Sequence, residues 1–227
     1  MPSEALLALK TAIGEIRELA LIARPYSLKP AGPNLSVLRV IGRGQVVLLS
    51  SHFERYFYSV NEEAVAFLNS ANVIGTAIPD RLKLIHSKPP IDEMSETGWE
   101  NRAEKLAALI SSDGWLWSAN VAGTLTHERL LAWMTAPKPK SLQRYYRYWG
   151  IEDIFRSITL TDTSRGNLWL GIQELVDRRN DIAHGVTSAQ ATPEDIRRYI
   201  KSVQTFCERA DRHLSRAIAK VIGTRPW

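Results

Sequence analysis

Hydrophobic residues recur every three or four positions along most of the chain, which is the spacing of one face of an α-helix. Four long stretches show this pattern, over residues 3–23, 45–70, 168–184 and 193–222. We find no clear alternation of hydrophobic and polar residues of the kind that marks a half-buried strand. The pattern therefore predicts an all-α fold, a helical bundle with additional helices at the N-terminus and in the middle of the chain.

The length favours one domain. The chain has 227 residues, 44% of them hydrophobic and 23% charged, which is enough for one sizeable core. We expect a single helical domain over residues 1–227, with a helix over 1–24 as an extension and the core over about 40–222. Three prolines and a glycine predict a connecting loop over residues 24–33.

The middle of the chain, residues 71–165, contains no motif that indicates chemistry. A helix is expected from Pro79 to His86, followed by a break at Pro89 and Pro90. Another helix is expected over residues 99–111. Its inward face is predicted to contain Ala103, Leu106, Ala107 and Ile110.

Charge, cysteine content and hydropathy narrow the class of protein. The net charge of +5 and the pI near 9.4 favour a polyanionic partner, without distinguishing RNA from DNA. The single Cys207 excludes an internal disulfide and fits a reducing compartment. No run is apolar and long enough to cross a bilayer, so we expect a cytoplasmic protein without a membrane partner. In the absence of CxxC, HExxH or a carboxylate cluster, we expect no metal and no cofactor.

The stretch Arg178-Arg179-Asn180-Asp181-Ile182-Ala183-His184-Gly185 combines polar groups with the end of an apolar helical pattern. Counted at about 100° per residue from Leu168, Arg179 falls inside the apolar stripe. Asn180 and His184 are four residues apart and share a flank of the helix, and Gly185 is a typical helix stop. Two structural explanations stand beside a functional one: Arg179 pairs with a buried carboxylate, and His184 lies near the negative C-terminal end of the helix.

The segment Arg179-Asn180-Asp181-Ile182-Ala183-His184 resembles the R-x(4–6)-H motif of the HEPN superfamily of helical nucleases and nucleotide-binding proteins. Asn follows the Arg directly, as in many nuclease members, and the motif ends the penultimate long helix. A second patch, Ser50-Ser51-His52-Phe53-Glu54-Arg55-Tyr56-Phe57, resembles the first core helix of the RiboL-PSP branch. The resemblance covers roughly residues 40–222 and implies a HEPN-like helical bundle.

The resemblance implies a metal-independent endoribonuclease, a toxin or antiviral defence effector, that cuts RNA by attack of its 2′-hydroxyl. It implies a homodimer in which two motifs meet across a cleft, and an antitoxin or defence-system protein as a further partner. Arg179, Asn180 and His184 are the expected catalytic residues, with an imidazole for proton transfer and a guanidinium for the phosphate. Supporting candidates are Arg178, which rivals Arg179, together with Asp181 and Glu54. Glu54 is either a solvated flank residue or a partner for an inward Arg.

Two other functions remain open from the sequence. One is a non-catalytic HEPN module that binds RNA or nucleotide or interacts with a protein. The other is a dimeric interaction protein in which Arg179 and His184 only form interface hydrogen bonds. A further stretch over residues 142–149 mixes Arg with aromatic residues, so Arg144, Tyr145 and Arg147 are candidate RNA contacts. The alternative there is that the aromatic rings pack while the two Arg side chains face water.

Overall fold

The computed structural model describes residues 1–27 and 31–227. Within these residues it has nine α-helices, two short 3-10 turns and no β-strand, although one isolated bridge joins Ile74 to Ala122. The helices are α1 Glu4–Ser27, α2 Pro33–Ser70, α3 Asp80–Glu96, α4 Arg102–Trp117, α5 His127–Leu131, α6 Pro139–Tyr148, α7 Ile154–Ile158, α8 Asp162–Ala183 and α9 Pro193–Ile222. The predicted all-α fold is confirmed.

The chain divides into two compact units. The first contains Met1–Val60, Ala136–Leu142 and Phe155–Asp211, and the second contains Asn61–Thr135, Gln143–Ile154 and Arg212–Trp227. The expectation of a single domain over residues 1–227 stays a prediction.

Aromatic packing organises the first unit. The ring of Phe206 on α9 lies 6.3 Å from that of Phe53 and 6.2 Å from that of Phe57, both on α2. Phe155 lies 5.2 Å from Phe206 and 4.9 Å from Trp169 on α8. Aromatic pairs at these separations contribute about 0.5–1.5 kcal/mol each beyond the burial of their area. The cluster therefore fixes α8 and α9 against α2.

Helices α8 and α9 run antiparallel inside this unit. A Cβ atom built on Gly171 would lie 2.3 Å from the Ser202 Oγ, so the two helices approach closely at that point. Further along, the Arg198 guanidinium lies 2.6 Å from the Glu174 carboxylate. Residues later in α8 thus face residues earlier in α9, which is the antiparallel order.

A buried polar network lies in the second unit. The Asp113 carboxylate accepts hydrogen bonds from Ser87 at 2.8 Å and from the Arg129 guanidinium at 2.8 Å. It also lies 3.1 Å from the Nδ1 of His86, whose Nε2 accepts a hydrogen bond from the backbone N–H of Thr126 at 2.9 Å. Burial lowers the pKa of His86 even though the Asp113 charge opposes it, so the ring is neutral. This network joins α3, α4 and α5.

Two helix boundaries differ from the sequence prediction. The loop expected over residues 24–33 is shorter, because α1 continues to Ser27 and α2 begins at Pro33; residues 28–30 of that loop lie outside the described residues. The break expected at Pro89 and Pro90 is absent, since α3 continues to Glu96. Contacts from α4 hold the second half of α3: Lys105 bonds to Glu93 at 2.6 Å, and Arg102 donates to the Ser95 carbonyl at 3.0 Å.

The inward face predicted for α4 is wrong. Ala103, Leu106, Ala107 and Ile110 are all exposed, and Ile110 is 62% exposed. The helix instead buries the face that contains Asp113 and Leu116. Asp113 and Leu116 lie about 100° around the helix from the predicted stripe, and the hydrogen bonds of Asp113 with Ser87 and Arg129 hold this flank inward.

Candidate functional site

Helix α8 ends in a hydrogen-bonded cap that fixes the position of His184. Gly185 has a φ of +75°, the left-handed conformation that glycine adopts without penalty. The Val186 N–H donates to the Asp181 carbonyl at 3.0 Å, and the Gly185 N–H donates to the Ile182 carbonyl at 3.1 Å. This pair of bonds is the Schellman arrangement. It leaves His184 as the last residue before the chain turns, with its side chain exposed.

Arg179 lies five residues, about 1.4 turns, before His184 and is half-buried. Its guanidinium donates to the side-chain carbonyl of Asn180 at 3.2 Å. Within the described residues this amide is its hydrogen-bond partner, and no carboxylate forms an ion pair with it. The arrangement differs from the alternative in which Arg179 neutralises a buried acid. The positive charge of Arg179 is therefore available to an anion.

Asp177 and Lys138 lie beside the motif and were not predicted from the sequence. The Lys138 ammonium lies 2.8 Å from Asp177, and the Gln173 amide donates to the same carboxylate at 2.7 Å. Partial burial acts to raise the pKa of Asp177, but the bonds from Gln173 and Lys138 outweigh it and hold the pKa below its ordinary value. Asp177 is seven residues before His184, two turns along one flank of the helix. That periodicity could have indicated Asp177, whereas Lys138 is brought there only by the fold.

Arg178 faces a different direction from Arg179. Its charge acts on Asp195 and Tyr199 of α9. Partial burial acts to raise the pKa of Asp195, but hydrogen bonds from Thr192 and the charges of Arg198 and Arg178 lower it overall. Arg178 thus belongs to the charged contact between α8 and α9, whereas Arg179 donates its hydrogen bond to Asn180 on its own helix.

The other two supporting candidates lie apart from the guanidinium of Arg179. Glu54 is half-buried on α2, and no ion pair joins it to an Arg within the described residues. The side chain of Asp181 is exposed at the end of α8, and its backbone carbonyl forms part of the helix cap. The structure therefore brings together Arg179 and Asn180 next to His184, and it does not bring Glu54 to Arg179.

In the stretch around α6, the structure matches the alternative in which the aromatic rings pack and the two Arg side chains face water. Tyr145 is fully buried, with burial raising its pKa far above the ordinary value, and it has no exposed face for a base. Arg144 and Arg147 are exposed. The Arg144 guanidinium lies 4.3 Å from the ring centre of Trp133, a cation–π contact that holds the side chain on the surface.

Metal-binding clusters and membrane-spanning helices are both absent from the part of the chain that the structure describes, residues 1–27 and 31–227. There, no group of three or more His, Cys, Asp or Glu side chains is placed to hold a metal ion. In the same residues, no helix combines the length and apolarity needed to cross a bilayer.

These features define a helical protein with an Arg–Asn pair and an exposed His at the capped end of its penultimate long helix. Residues 135–216 match the family model described as RiboL-PSP-HEPN, so this part of the chain is similar to that family. The match includes α6 to α8 and most of α9, with the whole motif, and excludes residues 50–57. No curated protein matches the chain, and no solved structure does.

Proposed function

We propose that this protein is a metal-independent endoribonuclease of the HEPN type, acting through Arg179, Asn180 and His184. The proposal rests on one observation above all. A guanidinium without a carboxylate partner within the described residues, held by the adjacent amide at 3.2 Å, lies five residues before an exposed imidazole. This arrangement falls inside the segment that matches the family.

The proposed reaction uses the nucleophile that RNA itself supplies. The 2′-hydroxyl oxygen bonds to the adjacent phosphorus while the bond from phosphorus to the 5′-oxygen breaks. A neutral imidazole takes the proton of the 2′-hydroxyl, and an imidazolium gives a proton to the departing 5′-oxygen. The products are a 2′,3′-cyclic phosphate and a 5′-hydroxyl. Arg179 holds the non-bridging phosphate oxygens with two parallel N–H donors, and Asn180 orients the guanidinium.

Two imidazoles suit this reaction, and each copy of the chain contributes one His184. We propose a homodimer in which the capped ends of two α8 helices meet, so that one His184 acts as base and the other as acid. The half-buried position of Arg179 at the helix end fits a residue that a second copy covers. Sedimentation that shows a strict monomer at tens of micromolar, with RNA or without it, would count against this arrangement.

We further propose that the protein acts inside the cell as a toxin or antiviral defence effector. A nuclease with an exposed His184 needs a restraint in the cell that makes it. An antitoxin or another defence-system protein that covers the end of α8 would provide that restraint. A screen of the neighbouring genes for a small protein that binds this chain and stops its cleavage of RNA would test this role.

The cleavage assay incubates the purified full chain with mixed RNA, with and without chelator, and analyses the ends. We expect 2′,3′-cyclic phosphate and 5′-hydroxyl ends, an unchanged rate in chelator, and no cleavage of single-stranded DNA, which lacks the nucleophile. His184→Ala removes a general acid–base group and should lower the rate about 10²–10⁴-fold. His127→Ala, at a histidine whose side chain is 38% exposed and which lies outside the family match, is the control and should leave the rate unchanged.

The alternative function is a HEPN module that binds RNA or a protein without cleaving. It is favoured if His184→Ala, with an unchanged thermal midpoint, cuts RNA at the wild-type rate, or if wild-type protein cuts no RNA at all. The exposed ring of His184 has no hydrogen-bond partner within the described residues, which fits either function until a second copy is present.

A further inference from the structure

A groove separate from the motif lies between the first half of α8 and the middle of α9. Its volume is ≈ 520 Å³. The lining mixes polar and apolar side chains, and no carboxylate contributes to it within the described residues. The side chains that matter for its chemistry are Ser164, Asn167, Lys201, Ser202, Thr205 and Arg209. Hydroxyl, amide and cationic groups together are the donors that proteins use against phosphate and sugar oxygens.

Gly171 and Ser202 form the floor of the groove. Ser202 is buried, and a Cβ atom on residue 171 would meet its hydroxyl at 2.3 Å. The absence of a side chain at Gly171 lets the two helices approach, and the polar side chains rise on either side.

The cations of the groove are not equally available. Arg198 lies 2.6 Å from Glu174 and 2.9 Å from Asp195, so its charge is compensated. Arg209 donates to the backbone carbonyl of Ile158 at 2.6 Å, which fixes the side chain and leaves its charge uncompensated. Lys201 is exposed and has no ion pair within residues 1–27 and 31–227. Two uncompensated cations therefore lie about 12 Å apart along α9, at 1.5 Å per residue over eight residues.

We infer that this groove binds the sugar–phosphate backbone of single-stranded nucleic acid. This inference rests on the proposed function: the groove positions the RNA on one side of the bond that Arg179 and His184 cleave. The spacing supports this, because Gly171 at the groove and Arg179 are eight residues apart on α8, about 12 Å along the helix axis and about 80° around it. A single-stranded segment bound in an electropositive groove covers about 4–16 nucleotides in other protein folds. A strand in the groove can therefore reach the end of α8.

The test measures binding rather than cleavage. Full-length His184→Ala protein is titrated against a fluorescent single-stranded oligoribonucleotide at several salt concentrations, and wild-type protein is titrated against single-stranded DNA of the same sequence. Lys201→Glu is compared with Lys220→Glu, which makes the same charge change at an exposed position of the same helix that does not line the groove. Equal thermal midpoints establish that both variants are folded.

Lys201→Glu should weaken binding of both strands about tenfold or more, and should reduce the slope of log affinity against log salt by about 0.7, the value for one phosphate contact on a single strand. Lys220→Glu should change the affinity less than about twofold, because its effect is only that of net charge. If the two variants weaken binding equally, or if neither weakens it, the inference that the groove binds nucleic acid is overturned. If Lys201→Glu alone weakens binding while wild-type protein cuts no RNA, the groove stands and the proposed catalysis fails.

Discussion

Arg178 and Arg179 are adjacent and identical in type, yet the structure assigns them different surroundings. Arg178 acts on Asp195 and Tyr199 across the contact between α8 and α9. Arg179 donates to Asn180 and has no charged partner within the described residues. Alanine at each position therefore gives a matched pair of variants. We expect one to affect mainly the stability of the fold and the other mainly the cleavage of RNA.

The magnitudes follow from the contacts that each variant removes. Arg178→Ala removes one positive charge from a half-exposed cluster in which Arg198 still lies 2.9 Å from Asp195, so the free energy of unfolding should fall by about 0.5–1 kcal/mol. Arg179→Ala removes one hydrogen bond to a neighbouring side chain, and the change should stay within about 0.5 kcal/mol. The cleavage rate should show the reverse order. Loss of the phosphate contact at Arg179 should lower it about 10²–10³-fold, while Arg178→Ala should stay within a few-fold.

Urea unfolding and initial cleavage rates, measured on the same preparations, give the two quantities. Arg179→Lys adds a third comparison, because it keeps the charge and loses the two parallel donors. If the phosphate is bound through both donors, this variant should be nearly as slow as Arg179→Ala. The assignment would be refuted by an Arg178→Ala protein that is folded and as inactive as Arg179→Ala. In that case Arg178 is the phosphate ligand and Arg179 a structural residue.

Two further predictions concern the fold. Burial lowers the pKa of His86 in the folded protein, so the unfolded chain binds a proton first as the pH falls through about 6.5. The free energy of unfolding should therefore decrease on acidification. The thermal midpoint of His86→Gln should depend less on pH between 7.5 and 5.5 than that of the wild type, and an equal dependence would contradict this. Gly171→Ala should lower the free energy of unfolding by about 1–3 kcal/mol, because the new Cβ lies 3.1 Å from the Ser202 Cβ as well as against its hydroxyl. The Cβ of Gly166→Ala on the same helix meets nothing within 4 Å, so this variant should raise the free energy of unfolding by about 0.5–1 kcal/mol. Urea midpoints that fall equally in the two variants would refute the close approach.

The long helices were predictable because their signals are local. Thr192 accepts a hydrogen bond from the Asp195 N–H at 3.1 Å, and Asp195 accepts one from the Thr192 N–H at 3.0 Å, so the start of α9 is specified within four residues. Helix α4 could not be predicted in the same way. Its apolar stripe and the flank that contains Asp113 are alternative buried faces. The flank with Asp113 is buried because its hydrogen-bond partners, Ser87 and Arg129, lie on other helices. Hydrophobic spacing alone identifies the helix and leaves its orientation open.

The same difference separates the two parts of the proposed site. Arg179, Asn180 and His184 are placed by the turn of one helix and its glycine cap, so their mutual positions follow from six consecutive residues. The groove joins α8 to α9 through residues more than thirty positions apart, and the sequence shows only a hydroxyl-rich helix start and a cationic helix. The link between them is Gly171, which interrupts the apolar pattern of α8 where α9 approaches. A glycine inside an otherwise strong helix indicates such a close contact, but the fold alone identifies its partner as Ser202. The residues that would cleave RNA can therefore be recognised within one helix, whereas those that would position it depend on how two helices pack.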